Sequence, residues 1–188
     1  MRLFVAMDLN EQVRAAIANV CEKLRVACPS AKWVRVEGMH VTLKFIGWIA
    51  EEGLAAIQQA LTEVRSGDAA VLHFRGVGFF PNEKRPRVLW IGVAASPNVA
   101  ELAAEIEARL EPLGIAREKR EFRPHLTLAR FDAPRGIDPL LKILRDVGEV
   151  DFGTVRTTDF SLYQSELLRG GAKYTRLASF PFVPERVS

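Results

Sequence analysis

Apolar positions along the chain follow two periods, 3.6 and 2, and the switches between them mark the elements. Residues 3–9 alternate weakly and predict a strand. Val13, Ile17, Val20 and Leu24 then keep helical spacing to about Ala27, with Asn10 as N-cap and Pro29-Ser30 as the stop. A short strand over 33–36 turns at Glu37-Gly38 into a stronger one that starts at His40 and closes at Gly47. Leu54, Ile57, Leu61 and Val64 form the stripe of a helix over 51–64. A strand follows over 71–80, with Gly76 and Gly78 as weak points. The polar, Pro-bounded stretch 82–86 is the best junction in the chain.

Beyond it, 87–94 is a strongly apolar strand. Residues 97–113 are a helix with Ser96 as cap, Pro97 in its first turn and Gly114 just past its end. Residues 115–122 are a charged strand or loop. Pro124 precedes a strand that starts at His125, and 137–144 is a short helix. One long strand is expected over 152–164, a turn at Gly170-Gly171, a last strand over 174–182, and a fraying tail at 184–188. The order strand, helix, strand, helix, strand occurs twice, over about 1–80 and about 85–183. The expectation is a single bilobal α+β domain built from two repeats. Each lobe would hold an antiparallel sheet and helices, with a cleft between the lobes.

The third element of each half carries the same tetrad, His40-Val41-Thr42-Leu43 and His125-Leu126-Thr127-Leu128. Side chains two apart on a strand share a face. Each copy therefore sets an imidazole beside a hydroxyl and turns its apolar residues the other way. Seven of 188 residues are Thr, so a given His has a chance of roughly 4% of Thr at +2, and two of the three His have it. Two imidazoles facing each other across a cleft suit in-line displacement at phosphorus, one as base on the attacking oxygen and the other as acid on the leaving oxygen. The hydroxyls suit the non-bridging oxygens, and an arginine would clamp them.

Other chemistries fit less well. Zinc needs three or four ligands, and no Cys, Asp or Glu stands at ligand spacing from the paired His. Phosphate-binding glycine loops and a nucleophile elbow are absent. His73 reads as a structural histidine. Trp33 and Phe80 could stack on a base, but core packing is the more ordinary use of each. The run Arg117-Glu118-Lys119-Arg120-Glu121 reads as a solvated edge, with guidance of an RNA backbone as the alternative. Arg85 and Arg87 share that ambiguity.

Composition narrows this only slightly. The chain is 48% hydrophobic and 26% charged, as a soluble globular protein with a sizeable core is. A net charge of +3 suits a phosphate-bearing ligand without identifying one. Cys21 and Cys28 lie two helical turns apart, too far for a disulfide, and read as buried free thiols. With no leader and no apolar run of about 18 residues, the expected compartment is the cytoplasm.

The twin tetrads resemble the signature of the two-histidine phosphoesterases. The chain as a whole, from Leu3 to about Val183, resembles their 2'-5' RNA ligase family of RNA 2',3'-cyclic phosphodiesterases. The likeness includes Arg2-Leu3-Phe4-Val5-Ala6, Trp33-Val34, Pro86-Arg87-Val88-Leu89-Trp90, Phe122-Arg123-Pro124-His125 and the strand at Tyr174. The resemblance implies metal-independent, cofactor-free hydrolysis of RNA terminal 2',3'-cyclic phosphates to 2'-phosphomonoesters, with 2'-5' ligation as a side activity. By analogy His40 protonates the departing 3' oxygen, His125 deprotonates water, and Thr42 and Thr127 bind the phosphate. The family's arginine maps to Arg130. A regular strand turns Arg130 away from the His125 face, so it contributes only if the strand ends or bulges at Ala129. The first motif has no such arginine; Lys44, on the His40 face by spacing, is its substitute. The alternatives are a nucleotide or RNA-end binding module and a phosphodiesterase acting on 2'-5' oligonucleotides.

Overall fold

The computed structural model describes residues 1–67, 69–132, 137–147, 149–169 and 171–183. Its elements run β1 (Arg2–Asp8), α1 (Glu11–Ala27), β2 (Lys32–Trp33), β3 (His40–Trp48), α2 (Leu54–Thr62), β4 (Ala70–Phe80), β5 (Val88–Ala95), α3 (Asn98–Leu110), β6 (His125–Arg130), α4 (Asp138–Val147), β7 (Asp151–Thr157), β8 (Asp159–Leu168) and β9 (Gly171–Pro181). The expected order of elements in each half is present. Asn10 caps α1 by accepting from the Val13 N–H at 2.8 Å, and Val13, Ile17, Cys21 and Leu24 form its buried stripe. Gly114 ends the helical stretch begun by α3 with φ of +81°, a conformation that costs glycine little. The tail, the Gly170 half of the expected turn and 133–136 lie outside the described residues.

Two antiparallel sheets result, ordered β3-β1-β8-β9 and β2-β6-β5-β4-β7. The α+β class with two antiparallel sheets is as expected, but the sheets do not follow the sequence halves. The expected strand over 152–164 is two strands, β7 and β8, which break at Thr158 and enter different sheets. β2 and β4, from the first half, join the sheet of β5 and β6. The expected strand over 33–36 shortens to β2 because Val36–Gly38 closes a 3₁₀ turn. Ser96 does not cap α3. Its hydroxyl accepts from the Val71 N–H at 3.0 Å and donates to Asn98 Oδ1 at 2.6 Å, tying the helix start to β4.

The helices are exchanged between sheets. α1 packs on β7 and α4, whereas α3 packs on β3 and α2. One buried apolar cluster runs through all of this, from Val5 and Val41 to Leu89, Leu126 and Phe74. Both cysteines are buried and free; burial, opposed by nearby Arg25, pushes the Cys21 thiol up to about 11. Among the described residues no helix is long and apolar enough to cross a membrane.

Lys44 occupies this interior, which corrects its expected place on the His40 face. It is 4% exposed and donates to Glu107 of α3 at 2.6 Å and to the Ala116 carbonyl at 2.7 Å. Removing one partner strands the other's buried charge. E107A should therefore lower unfolding free energy by about 3 kcal/mol, read from urea melts. The paired replacement K44M/E107L should recover most of that loss, and equal losses in the single and double variants would refute the pairing.

Candidate active site

β1 and β3 pair so that Asp8, Ala6, Phe4 and Arg2 oppose His40, Thr42, Phe45 and Trp48. Opposed residues share a face, and this is the one turned away from the core residues Leu3, Val5 and Met7. β5 and β6 build the matching face of the other sheet, where Gly92, Trp90 and Val88 oppose His125, Thr127 and Arg130. β3 and β6 lie against each other where the sheets meet. Both tetrads thus reach the same seam, each with its His and Thr half-buried.

The two imidazoles are held alike. His40 Nδ1 lies 2.8 Å from the Gly38 carbonyl and His125 Nδ1 lies 2.9 Å from the Arg123 carbonyl, two residues upstream in each case. A carbonyl only accepts, so Nδ1 carries the proton and Nε2 is left to exchange one. Gly38 is itself fixed. Arg14 of α1 donates to the Leu9 carbonyl at 3.3 Å, to Val36 at 2.7 Å and to Glu37 at 3.1 Å, clamping the turn that offers the Gly38 carbonyl. A Cβ on Gly38 would stand 3.0 Å from the Tyr174 ring, so a larger residue there would press on that ring. The Phe4 ring stacks on His40 at 4.5 Å and Tyr174 meets it edge-on at 5.0 Å. Burial holds the His40 imidazolium below its ordinary value. The Gly38 carbonyl and Asp8 oppose that shift, and Arg14 adds to it.

Among the described residues neither threonine hydroxyl has a partner, and nor does the exposed Arg130 guanidinium. Arg130 stands on the His125 face, five residues on, because the strand bulges at Leu128. Ala129 pairs with Leu89 but Thr127 with Trp90, leaving Leu128 as the extra residue. β3 bulges at the matching Leu43, which sends Lys44 into the core and returns Phe45 to the His40 face. Phe45 therefore occupies in the first motif the position of Arg130 in the second.

Beside His40 lies a cavity of about 340 Å³ whose walls include Asp8, Arg35, Glu37, Tyr163 and Tyr174; His125 is not part of its wall. Tyr163 donates to Asp8 at 2.6 Å and accepts from Arg176 Nε at 3.1 Å, while Arg176 also pairs with Asp8. The sequence reading missed this triad and Arg14. Only the Tyr174 strand carried a signal, through the family likeness.

The remaining candidates fall outside the reacting groups. His73 bonds Asp151 at 3.0 Å on the surface. Trp33 donates to the Cys28 carbonyl at 2.9 Å, a structural use. Phe80 stands edge-on to His125 at 5.3 Å. Arg117 pairs with Glu111 and Arg87 with the Asp132 carbonyl, and Arg85 is exposed. Among the described residues no group of three or more His, Cys, Asp or Glu is arranged to hold a metal ion.

Residues 9–166 match the family model described as the 2'-5' RNA ligase superfamily. The chain is 37% identical over 180 residues to an RNA 2',3'-cyclic phosphodiesterase of Archaeoglobus fulgidus, covering 96% of this chain and 99% of that one. It is 32% identical over 181 residues to the protein of the same name from Methanothermobacter thermautotrophicus, covering 96% and 98%. Among solved structures, a Thermus thermophilus protein superposes with a TM-score of 0.82 at 33% identity, covering 98% of this chain and all of that one. E. coli LigT complexed with 3'-AMP superposes at 0.78 with 26% identity, covering 96% and 97%. With the paired tetrads in place at the seam and near full-length agreement with these relatives, the chain belongs to the 2'-5' RNA ligase superfamily.

Proposed function

We propose that the protein hydrolyses the 2',3'-cyclic phosphate at RNA ends, and on nucleosides, to a 2'-phosphomonoester without a metal or cofactor. The observation that carries this is the duplicated unit: an imidazole pinned through Nδ1 to the carbonyl two residues upstream, beside an unpartnered threonine hydroxyl, on two strands that meet. The activity named for the full-length relatives supports it.

In this reading His125 Nε2 takes a proton from water, and the water oxygen attacks phosphorus in line. The P–O3' bond breaks as His40 Nε2–H passes its proton to O3'. The phosphate keeps its bond to O2', and each histidine ends in the other's starting state. Thr42 and Thr127 donate to the non-bridging oxygens, and Arg130 meets the charge that builds on them. A 5'-hydroxyl in place of water gives a 2'-5' linkage by the same steps. Water's bulk concentration makes hydrolysis the main outcome.

Incubation of 2',3'-cyclic AMP with enzyme in excess EDTA should yield the 2'-phosphate. A 3'-phosphate would reverse the leaving oxygen, and no turnover would leave a binding module. H40A and H125A should each lower kcat by about 10²–10⁴-fold with melting curves unchanged. Unaltered turnover in either would remove that residue from the chemistry.

T42V and T127V should each lower kcat/KM by about 10²-fold, as loss of one preorganised donor does, and R130M by at least as much. A loss of stability that accounts for the whole effect would contradict phosphate binding.

The profile of kcat/KM against pH should be bell-shaped. His40 must hold its proton to act as acid, and burial keeps its free-enzyme pKa below the ordinary 6.5. The alkaline limb of kcat/KM should therefore lie below pH 6.5. The limb in kcat should lie higher, because a bound phosphate anion favours the imidazolium. An alkaline limb that vanishes in H125A and persists in H40A would reverse the two roles.

A further inference from the structure

Two large aromatic side chains stand in solvent on the His40 face of β3. Phe45 is 57% exposed and Trp48 is 79% exposed. They share that face with the tetrad because β3 carries a second irregularity at Ile46, where Phe45 opposes Phe4 but Gly47 opposes Leu3. His40, Thr42, Phe45 and Trp48 therefore lie in a row. The partners of the last two, Phe4 and Arg2, are two residues apart on β1, so the rings are anchored about 7 Å from each other along the strand. Phe45 also leans on Phe4 at 6.4 Å, and Phe4 stacks on His40. Arg2, exposed and opposite Trp48, sets a cation beside the outer ring.

Neither ring serves the core. The Arg130 position shows that the same place on the twin strand can hold a charge. Flat aromatic faces on a sheet, spaced along a row and flanked by arginine, are how single-stranded nucleic acid is held without sequence preference. We propose that this row is the track for the RNA strand leading to the cyclic phosphate, with successive bases stacked on Phe45 and Trp48 and a backbone phosphate at Arg2. Continuity with the phosphate site favours RNA over another occupant, because a strand whose end lies at Thr42 has this row as its next surface. The inference rests on the cyclic phosphodiesterase reading.

The test compares 2',3'-cyclic AMP with an eight-nucleotide RNA ending in a 2',3'-cyclic phosphate. Wild type should show the lower KM for the octamer. W48A should raise the octamer KM about tenfold while shifting the cyclic AMP KM less than twofold, and W48F should restore the octamer value. F45A removes the ring nearest the phosphate, where the single base of cyclic AMP would stack, and should raise both. Trp48 is exposed enough that its variants fold, so the result does not depend on F45A. Equal KM changes for both substrates in W48A, or none for the octamer, would overturn the track. An unchanged octamer KM with loss of self-association in sedimentation would assign the face to a second copy instead. Absence of turnover of either substrate by wild type would refute the phosphodiesterase reading itself, a different failure.

Discussion

The site depends on two strands from different sheets being held side by side. Each sheet presents a single imidazole from its tetrad, and a proton passes only across a hydrogen-bond distance of about 2.6–3.2 Å. Two sheets free to slide would part the two imidazoles. The fold prevents this by crossing the halves. α3 leaves the β5 sheet and packs on β3, while α1 leaves the β1 sheet and packs on β7. The Lys44–Glu107 pair fastens the first crossing inside the core, and β2 adds first-half backbone to β6 on the other side. Arg14 then carries the position of α1 to the Gly38 carbonyl and so to His40.

The second constraint is parity. A regular strand must alternate, so a row of cleft residues is bound to a row of core residues. The bulge after each threonine breaks that bond at one step. It buries two successive residues, Leu43 with Lys44 and Leu128 with Ala129, and returns the fifth residue from each histidine to the cleft. Without it Arg130 would point into apolar surroundings and Lys44 would lie on the His40 face. With it the two exchange roles, and the one cation of the pair that reaches the cleft is Arg130.

This is where reading the sequence succeeded and where it stopped. Periodicity, caps and turn residues are local, so Asn10, the helical stripes and the strands at His40 and His125 were legible. The duplicated tetrad also marked the two histidines whose strands, β3 and β6, lie together. Spacing misplaced Lys44, because a bulge leaves no mark in an apolar run such as Leu43-Lys44-Phe45. The same run left Arg130 conditional. Sheet membership was also hidden: nothing in 152–164 shows that the chain changes sheets at Thr158. The Asp8–Tyr163–Arg176 triad joins Asp8 to residues 155 and 168 positions along the chain, and no local pattern announces such a partner.

A duplicated site would be symmetric if the reaction were, and it is not. The two tetrads match residue for residue through the bulge, and they part where substrate asymmetry begins. In the proposed reaction one side must neutralise oxygens that gain charge as the bond breaks, and Arg130 stands on the His125 side. The other side must hold the part of the substrate that is not reacting, which for an RNA end is a neutral, stackable surface. Phe45 stands at that equivalent point, with Tyr174 and Phe4 closing around His40. Burial also disfavours the protonated form of His40, the histidine on this side. A bound phosphate would bring it the charge it lacks. In this view the acid is armed by the substrate it is to cleave, and the duplicated halves differ by what each must hold.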